Sequence, residues 1–247
     1  VTGKLETYAR QAKVIHLDVD PSEISKNVAV DVPILGNCKR TLALLTELIQ
    51  AQRHTEWIES FRPYEEKEYT QVIDREIHPK EGPLNMGEVV RKVSEATRNE
   101  AILVTDVAAI GAAFGRPDRT VCVFMGDGGL QMTMQELGTV MEQKAPVKII
   151  LLNNNYLGNV RQWQAMFFNR RYSFTPMMNP DYMQIASAYG IPSRRVAERG
   201  ELEEAIREML DTDGPFLLEA CVIEEGNVLP MTPPGSSVNY MMLDLDC

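Results

Sequence analysis

Two short polar motifs each follow an apolar run that is typical of a buried strand. Gly126-Asp127-Gly128 comes after residues 120–125, and Asn153-Asn154 comes after residues 147–152. Both runs are short, apolar and rich in β-branched residues, which predicts two central strands of a parallel sheet. Because ligands bind beyond the carboxyl ends of parallel strands, we expect Asp127 and Asn154 to face one shared site.

One carboxylate and one amide oxygen are suitable protein ligands for Mg²⁺. This ion prefers hard oxygen ligands in octahedral geometry and usually leaves several positions to phosphate oxygens and water. Gly128 and Gly129 allow the backbone to approach phosphates closely, and N–H groups at a helix start favour an anion. The motifs therefore predict a metal and diphosphate site. The alternative is that Gly-Asp-Gly and Asn-Asn are ordinary turn and loop sequences.

A helical pattern lies between the two predicted strands. Apolar residues recur at i, i+4, i+7 and i+11, which places them on one face of a single helix: Leu130, Met134, Leu137 and Met141. Lys144 and Pro146 are expected to end that helix. The predicted unit is strand, crossover helix, strand, which is typical of an α/β protein with a doubly wound parallel sheet.

The chain as a whole is predicted to have three parts. Residues 1–50 combine strands at 13–18 and 32–35 with a helix that carries Leu42, Leu45 and Leu48, which is typical of half a doubly wound domain. Residues 51–82 hold many charges without a sustained core pattern and are interpreted as a linker. Residues 83–247 form the main domain, with further strands at 101–106 and 216–223 and with helices near 179–190 and 201–210.

The segments around the polar motifs resemble a known family. Gly-Asp-Gly followed about two to three dozen residues later by Asn-Asn is the signature of thiamine diphosphate enzymes. In more detail, residues 123–137 and 153–164 are similar to the large subunit of acetohydroxyacid synthase, also called acetolactate synthase. The resemblance covers nearly the whole chain. It implies a thiamine diphosphate-binding fold, preceded by part of a Rossmann-like central domain.

The resemblance also implies which residues hold the cofactor. Asp127, the Asn154 side chain and the Tyr156 backbone carbonyl would bind Mg²⁺. The implied cofactor-binding residues are Gly126, Asp127, Gly128, Gly129, Asn154, Tyr156, Gly158 and Asn159. A methionine is more usual in the family where Asn159 stands, which leaves the substrate preference open.

Trp163 has two interpretations. A single tryptophan in an apolar context is commonly a core residue. The resemblance instead implies that Trp163 helps to select the second 2-keto acid, as in biosynthetic rather than catabolic members of the family.

Asp18 ends the first predicted strand, where an acidic side chain can accept hydrogen bonds from a ribose or an adenine. The residues from Asp18 to Pro21 also suit a simple turn, and the chain has no G-x-G-x-x-G motif. The resemblance implies that this segment belongs to a domain that holds FAD in a largely structural role. The matching positions are Asp18, Val19, Gly36 and Asn37, and the family usually has an aspartate where Asn37 stands.

The activity that the resemblance implies is acetolactate synthesis. Pyruvate is decarboxylated on thiamine diphosphate and condensed with a second pyruvate or with 2-ketobutyrate, in branched-chain amino acid biosynthesis. At least a homodimer is expected, because sites of this family form between two chains, and a separate regulatory subunit stays open. The alternatives are another thiamine diphosphate enzyme (a catabolic acetolactate synthase, a pyruvate oxidase or a benzoylformate decarboxylase) or a noncatalytic assembly module.

Two segments of the family pattern are expected to be missing. The chain begins inside the central domain, so the catalytic glutamate is expected in an absent amino-terminal domain, and the chain alone is expected to be inactive. The second segment falls between Val107 and Ala108. A helix over residues 108–114 covers about 10 Å, whereas returning beside a six-residue strand requires about 20 Å. We therefore predict a missing segment and a chain break at that point.

Composition limits the partners and the compartment. Apolar residues make up 44% and charged residues 24%, with a net charge of −10, which argues against nonspecific nucleic-acid binding. No apolar run approaches the length of a membrane span, so no membrane partner is expected. Cys38, Cys122, Cys221 and Cys247 lack C-x-x-C spacing, and His16, His54 and His78 are scattered, so we predict no zinc site and a reducing cytoplasm.

Overall fold

The structure, a computed structural model, describes residues 4–105, 108–237 and 239–245. Contacts divide the chain into two units. The smaller unit combines Val1–Glu68 with Leu229–Cys247, and the larger unit is Tyr69–Val228.

The smaller unit contains a parallel pair of strands. β1 (Ile15–Asp18) pairs with β2 (Val32–Leu35), with Ile15 opposite Val32 and Asp18 opposite Leu35. Its helices are α1 (Cys38–Leu48), α2 (Thr55–Glu59) and α3 (Arg62–Glu68), with a 3₁₀ turn at Leu5–Thr7. None of its described residues is buried. Two strands and three helices therefore form no core within this unit.

The larger unit is built on five parallel strands. They are β3 (Ile102–Thr105), β4 (Val121–Gly126), β5 (Val147–Asn153), β6 (Ser193–Val196) and β7 (Phe216–Cys221). Their order in the sheet is β3-β4-β5-β7-β6. The predicted α/β fold with a parallel sheet is confirmed. The edge strand β6 was not predicted.

Helices cover both faces of this sheet. They are α4 (Asp74–Ile77), α5 (Met86–Ala96), α6 (Ala109–Gly115), α7 (Asp127–Thr133), α8 (Glu136–Gln143), α9 (Gly158–Phe167), α10 (Tyr182–Ala188) and α11 (Leu202–Asp211). A π-helix at Tyr69–Ile73 and a 3₁₀ turn at Arg199–Glu201 complete the unit.

The core forms two layers because successive strand residues point to opposite faces. In β5, Ile150 packs in the layer that includes α5 and α11, whereas Ile149 and Leu151 pack in the layer that includes α6, α7, α8 and α10. A strand buried on both faces is typical of a doubly wound sheet. This packing fixes the carboxyl ends of the strands, where the polar motifs lie.

The single crossover helix predicted after β4 is wrong. Two helices, α7 and α8, are separated at Met134 and Gln135, where Leu137 N–H donates to the Met134 carbonyl at 3.1 Å and tightens the turn. This tighter turn shifts the helical face, so Val140 is buried and Met141 is 49% exposed. Lys144 ends α8 with a left-handed φ of 49°.

The predicted start of the helix near residue 179 requires correction. Asp181 is the N-cap of α10, since its side chain accepts a hydrogen bond from Met183 N–H at 3.1 Å. The helix therefore begins at Tyr182, three residues later than predicted, and the Asn179 side chain makes other contacts. Gly190 follows the helix with a left-handed φ of +66°, which agrees with the predicted end of the helix near residue 190.

The segment interpreted as a linker is largely helical. Residues 51–82 include α2, α3, the π-helix and α4, and Val72 is the buried residue among them. A single buried side chain agrees with the absence of a core pattern in this sequence. The contacts divide the chain at Tyr69, and the boundaries at residues 50 and 82 stay predictions.

The connection from β3 to β4 is short. β3 spans four residues and pairs with β4 in parallel from Ile102 opposite Val121 to Thr105 opposite Phe124. A four-residue strand requires a return of about 13 Å, closer to the roughly 10 Å covered by the seven residues of α6. The predicted break between Val107 and Ala108 involves residues 106 and 107, which lie outside the described residues.

Candidate functional site

The carboxyl ends of β4 and β5 meet at one edge of the sheet. Gly126, the last residue of β4, lies opposite Leu152 of β5, so Asp127 and Asn153 follow matched positions on neighbouring strands. Asp127 is the first residue of α7, and Asn154 comes directly after β5. The sequence places a carboxylate and amides together because parallel strands end at the same edge.

A cavity of about 500 Å³ opens at this edge, within the range of small-molecule sites. All eight predicted cofactor-binding residues line it: Gly126, Asp127, Gly128, Gly129, Asn154, Tyr156, Gly158 and Asn159. Residues that were not predicted complete the wall, among them Glu76, Met86, Met132, Leu157, Val160 and Gln162. The structure therefore brings together predicted residues that are up to 33 positions apart in the sequence, from Gly126 to Asn159.

Two glycines at the cavity are required by close packing. A Cβ at Gly128 would lie 2.8 Å from Leu157 Cδ2, and a Cβ at Gly158 would lie 3.3 Å from Asn154 Nδ2. A Cβ at Gly128 would therefore require the end of the Leu157 side chain to shift. The two glycines thus allow the two loops to approach each other.

Asp127 is a buried carboxylate, 1% exposed. Gly128 N–H donates to its Oδ1 at 2.9 Å, and Asn179 Nδ2 donates to its Oδ2 at 2.8 Å. Burial raises the pKa of Asp127, although these hydrogen bonds oppose the shift. Among the described residues no lysine or arginine pairs with Asp127. A buried carboxylate without a basic partner is suited to a divalent cation.

The three consecutive asparagines form the turn after β5. Asn155 N–H donates to Asn153 Oδ1 at 3.2 Å, and Tyr156 N–H lies 3.4 Å from Asn154 Oδ1. Asn155 adopts a left-handed φ of 56°, which asparagine tolerates better than most residues. This geometry explains the residue types of the motif and places the Asn154 amide and Tyr156 on the cavity wall.

Helix α9 holds a second part of the cavity wall in place. Gln162 Oε1 accepts from Val228 N–H at 2.8 Å, and its Nε2 donates to the Val228 carbonyl at 3.0 Å. Arg161, 1% exposed, donates to Asn227 Oδ1 at 2.5 Å. Sequence reasoning missed these roles, since residues 226–228 are far away along the chain. The paired contacts fix the segment that closes the cavity.

Trp163 is on α9 but outside the cavity lining. Its indole is 44% exposed and packs against Phe167, with ring centroids 5.3 Å apart. Its helical neighbours Asn159 and Val160 do line the cavity. Trp163 is therefore not a core residue, and its role in substrate selection stays a prediction.

Sequence reasoning also missed Asn179, Tyr182, Gln131 and Glu219. Tyr182 is fully buried, and burial raises its pKa to about 12. Its hydroxyl lies 3.3 Å from the Asp127 carbonyl and 3.1 Å from Asn179 Oδ1. Glu219 is 1% exposed inside β7. The position of Glu219 within an apolar run could have indicated a functional role, because charged residues are rarely buried. No such pattern marks Asn179, whose neighbours suit a helix cap.

The predicted FAD residues lie at the carboxyl end of the small sheet. Gly36 N–H donates to the Asp18 carbonyl at 2.8 Å, which brings Asp18 and Gly36 together. The Asp18 side chain accepts from Asp20 N–H at 2.9 Å, and Asn37 is the N-cap of α1, accepting from Arg40 N–H at 3.4 Å. Val19 is 65% exposed. Turn formation and helix capping thus account for both polar side chains.

The described cysteines and histidines do not line the cavity. Burial raises the pKa of the Cys122 thiol to about 11, and Cys221 is half-buried with a pKa also raised by burial. Cys38 is exposed, and Cys247 lies outside the described residues. His78 contacts Asp74 at 2.9 Å on the surface. In the described ranges no three His, Cys, Asp or Glu side chains form a metal-binding group.

The helices of the described part of the chain are all too short or too polar to cross a membrane. The longest are α1 and α5, with 11 residues each.

Comparisons with known proteins agree with this geometry. The family model for the C-terminal TPP-binding domain of thiamine pyrophosphate enzymes matches residues 107–220, and the model for their central domain matches residues 1–45. Together these ranges cover more than half of the chain.

Similar proteins are acetolactate synthase large subunits. The isozyme 2 large subunit of Escherichia coli (strain K12) is 35% identical over 98% of this chain and 49% of its own length. The large subunit of Parasynechococcus marenigrum is 33% identical over 99% of this chain and 45% of its length. The chloroplastic acetolactate synthase 1 of Nicotiana tabacum is 32% identical over 100% of this chain and 43% of its length. The chain spans about half the length of the curated relatives it matches.

These matches confirm the family resemblance, and the C-terminal-domain match falls on the unit that carries the five-stranded sheet and its polar edge. The chain belongs to the thiamine pyrophosphate enzyme family.

Proposed function

We propose that this chain is the cofactor-binding portion of an acetolactate synthase that depends on thiamine diphosphate and Mg²⁺. The observation that carries the proposal is Asp127, a buried carboxylate without a basic partner among the described residues, on the wall of a cavity that also contains Asn154. Its burial costs free energy that a divalent cation would offset.

The number and charge of the proposed protein ligands suit Mg²⁺ bound together with a diphosphate. Asp127, Asn154 Oδ1 and the Tyr156 carbonyl would hold the ion, and only one of these ligands is charged. Most of the positive charge must then be balanced by phosphate oxygens. We therefore infer that Mg²⁺ binds together with the diphosphate, whose oxygens would approach the backbone at Gly126, Gly128 and Gly129.

When bound, thiamine diphosphate supplies the carbanion stabilisation needed to decarboxylate a 2-keto acid and transfer the two-carbon unit to an acceptor. The residues of the chain anchor the metal, orient the cofactor and exclude water. Water is excluded by the apolar part of the cavity wall, which consists of Met86, Met132, Leu157, Val160, Ile223 and Val228.

Acceptor choice and assembly are further parts of the proposal. Trp163 lies beside Asn159 and Val160 of the cavity wall, so its indole would contact the acceptor, pyruvate or 2-ketobutyrate. The relatives are named large subunits, which supports a regulatory subunit as partner and at least a homodimer. Free thiols at Cys38 and Cys122 are compatible with a reducing cytoplasm.

FAD is proposed for the smaller unit, at Asp18, Val19, Gly36 and Asn37. The central-domain match to residues 1–45 supports this assignment. The positions lie together at the end of β1 and β2, which is the edge of a parallel sheet where nucleotides bind.

A missing segment between residues 107 and 108 is also proposed. The alignment with the E. coli relative runs over 279 residues, longer than the 247 residues of this chain. The relative therefore carries residues within the aligned region that this chain lacks. A location between residues 107 and 108 is the position that the sequence resemblance implies.

Calorimetric titration of the chain with thiamine diphosphate, with and without Mg²⁺, tests the proposed function. We expect Mg²⁺-dependent binding that Asp127→Ala weakens by at least about 100-fold, the upper end for loss of a metal-site group. Asp118→Ala is the matched control, because Asp118 is an exposed aspartate that pairs with Arg116 at 2.7 Å. Equal affinity of the parent chain and Asp127→Ala would refute the assignment.

A further inference from the structure

A row of polar side chains extends from Asp127 into the sheet, away from the cavity. Asn179 Nδ2 donates to Asp127 Oδ2 at 2.8 Å and to Asn153 Oδ1 at 2.9 Å. Asn153 Nδ2 then donates to Glu219 Oε1 at 2.8 Å across the β5–β7 pair. Asn153 and Glu219 are both buried, and none of Asn153, Asn179 and Glu219 lines the cavity.

Glu219 determines the orientation of the side-chain amides in this row. An ionised carboxylate only accepts hydrogen bonds, so the Asn153 amide must present its NH₂ group to Glu219 and its Oδ1 to Asn179. Arg195 Nε donates to Glu219 Oε2 at 2.6 Å, so the second oxygen of this buried carboxylate is held by a guanidinium donor. The orientation of Asn153 is therefore fixed from behind.

Asn179 is fixed from both ends. Its Oδ1 accepts from Gln131 Nε2 at 2.7 Å and faces the Tyr182 hydroxyl at 3.1 Å, so its NH₂ group must point to Asn153 and Asp127. Asp127 Oδ2 thus receives one donor from Asn179, and Oδ1 receives Gly128 N–H. Both oxygens are held by defined donors, which leaves the carboxylate one orientation toward the cavity.

We propose that Asn179, Asn153 and Glu219 are positioning residues that hold the Asp127 carboxylate in the orientation required for binding the divalent cation. The proposal rests on the proposed function of Asp127. Groups that orient metal ligands in this way typically change metal affinity by about 10-fold to 100-fold when they are replaced.

Glu219→Gln is the most informative substitution, because it keeps the volume but removes the directionality. The introduced glutamine can offer its oxygen to Arg195 and its NH₂ group to Asn153, so residue 219 no longer dictates the orientation of the Asn153 amide. Of the contacts that hold Asn153 Oδ1 toward Asn179, the donor Asn155 N–H at 3.2 Å then remains. We expect Mg²⁺ affinity to fall about 10-fold, measured by calorimetry in the presence of inorganic pyrophosphate. Asn179→Ala should produce a similar loss.

Glu88→Gln is the matched control. Glu88 is 2% exposed and pairs with Arg199 Nε at 2.8 and 3.0 Å, so it is a buried glutamate–arginine pair of the same kind, outside the row and the cavity. Its substitution should leave Mg²⁺ affinity unchanged. Equal losses in Glu88→Gln and Glu219→Gln would show a general structural effect and overturn the proposal.

The double variant separates action through Asn179 from independent effects. If Glu219 acts through Asn153 and Asn179, then Glu219→Gln causes no further loss of Mg²⁺ affinity once Asn179 is replaced by alanine, whereas additive losses overturn the proposal. Asn179 lies on a loop and is only half-buried, so its variant remains informative if Glu219→Gln fails to fold.

If the proposed function is wrong, the same binding measurements give a different pattern. In that case Asp127→Ala itself leaves Mg²⁺–pyrophosphate binding unchanged, or the parent chain binds no Mg²⁺–pyrophosphate, and both proposals fall. Loss of binding in Asp127→Ala together with parent-like Asn179→Ala and Glu219→Gln would retain the proposed function and overturn the positioning role alone.

Discussion

The two units of this chain differ in what holds their candidate sites. In the larger unit, five strands are packed on both faces, and the polar edge follows strands whose residues are almost fully buried. In the smaller unit, the candidate FAD residues follow two strands without a single buried described residue. A site can be precise only where a core fixes the ends of its strands. The metal site meets that condition within its own unit, and the FAD site does not.

Removing core volume is the strongest way to test this contrast. Ile150→Ala should destabilise the larger unit by about 2–5 kcal/mol, because Ile150 is fully buried in the central strand β5. Leu42→Ala in the smaller unit should change stability by no more than about 0.5 kcal/mol, since Leu42 is 56% exposed. Urea unfolding measures both values. Equal destabilisation by the two substitutions would contradict the contrast.

The pH dependence of stability should give a second, smaller difference between the two units, because the larger unit contains a buried thiol. The pKa of Cys122 is raised to about 11 from 9.0 by burial, so its neutral form contributes stability that is complete below pH 9 and lost as pH rises through 11. We expect a loss of about 1–3 kcal/mol across this window. Cys122→Val should flatten that part of the stability curve, whereas Cys38→Ser, at an exposed position of the smaller unit, should not. An unchanged slope in Cys122→Val would rule out this origin.

A substitution of Trp163 compares, within the larger unit, the residues that line the cavity with a residue that lies beside them. In an active full-length enzyme that contains this chain, Trp163→Leu should change the ratio of products from mixed pyruvate and 2-ketobutyrate by about 10-fold. Affinity for thiamine diphosphate should stay the same, because Trp163 does not line the cavity. A changed cofactor affinity with an unchanged product ratio would assign Trp163 to cofactor binding instead.

The smallest expected effect is the change in stability, in the absence of metal, when the charge of Asp127 is removed. Burial raises the pKa of Asp127, so its charged form is disfavoured in the folded chain at neutral pH. Asp127→Asn removes this charge, but the NH₂ group of the asparagine must face either Gly128 N–H or Asn179 Nδ2, which are both donors. We therefore expect the urea midpoint without metal to change little, and the variant to lose the stabilisation that Mg²⁺ with diphosphate gives the parent chain. A lower midpoint without metal would indicate that Asp127 mainly stabilises the fold.

Local patterns predicted four of the five strands of the larger unit, because these four strands are apolar. The observed β2 matches the predicted residues 32–35, and β4 and β5 differ from prediction by single residues at their ends. β6 was missed because its sequence, Ser193–Val196, carries two arginines and resembles a surface loop. It is a strand because it pairs with β7 from Ser193 opposite Leu217 to Val196 opposite Ala220.

The site residues that belong to the two local motifs after adjacent strands could be predicted. The site residues that contact these motifs from far along the sequence could not. Asp127 and Asn154 follow from the motif spacing. Asn179 lies 52 residues after Asp127, and Glu219 lies 66 residues after Asn153. Their contacts depend on the order of strands in the sheet, with β7 beside β5, and no periodicity in the sequence specifies that order.

Anomalous diffraction from crystals of this chain grown with Mn²⁺ and thiamine diphosphate tests the metal assignment most directly. The account predicts one strong manganese peak with Asp127, Asn154 Oδ1 and the Tyr156 carbonyl among its ligands, and with the remaining positions filled by diphosphate oxygens and water. A manganese peak bound elsewhere, or a diphosphate that makes no contact with the edge formed by β4 and β5, would contradict it.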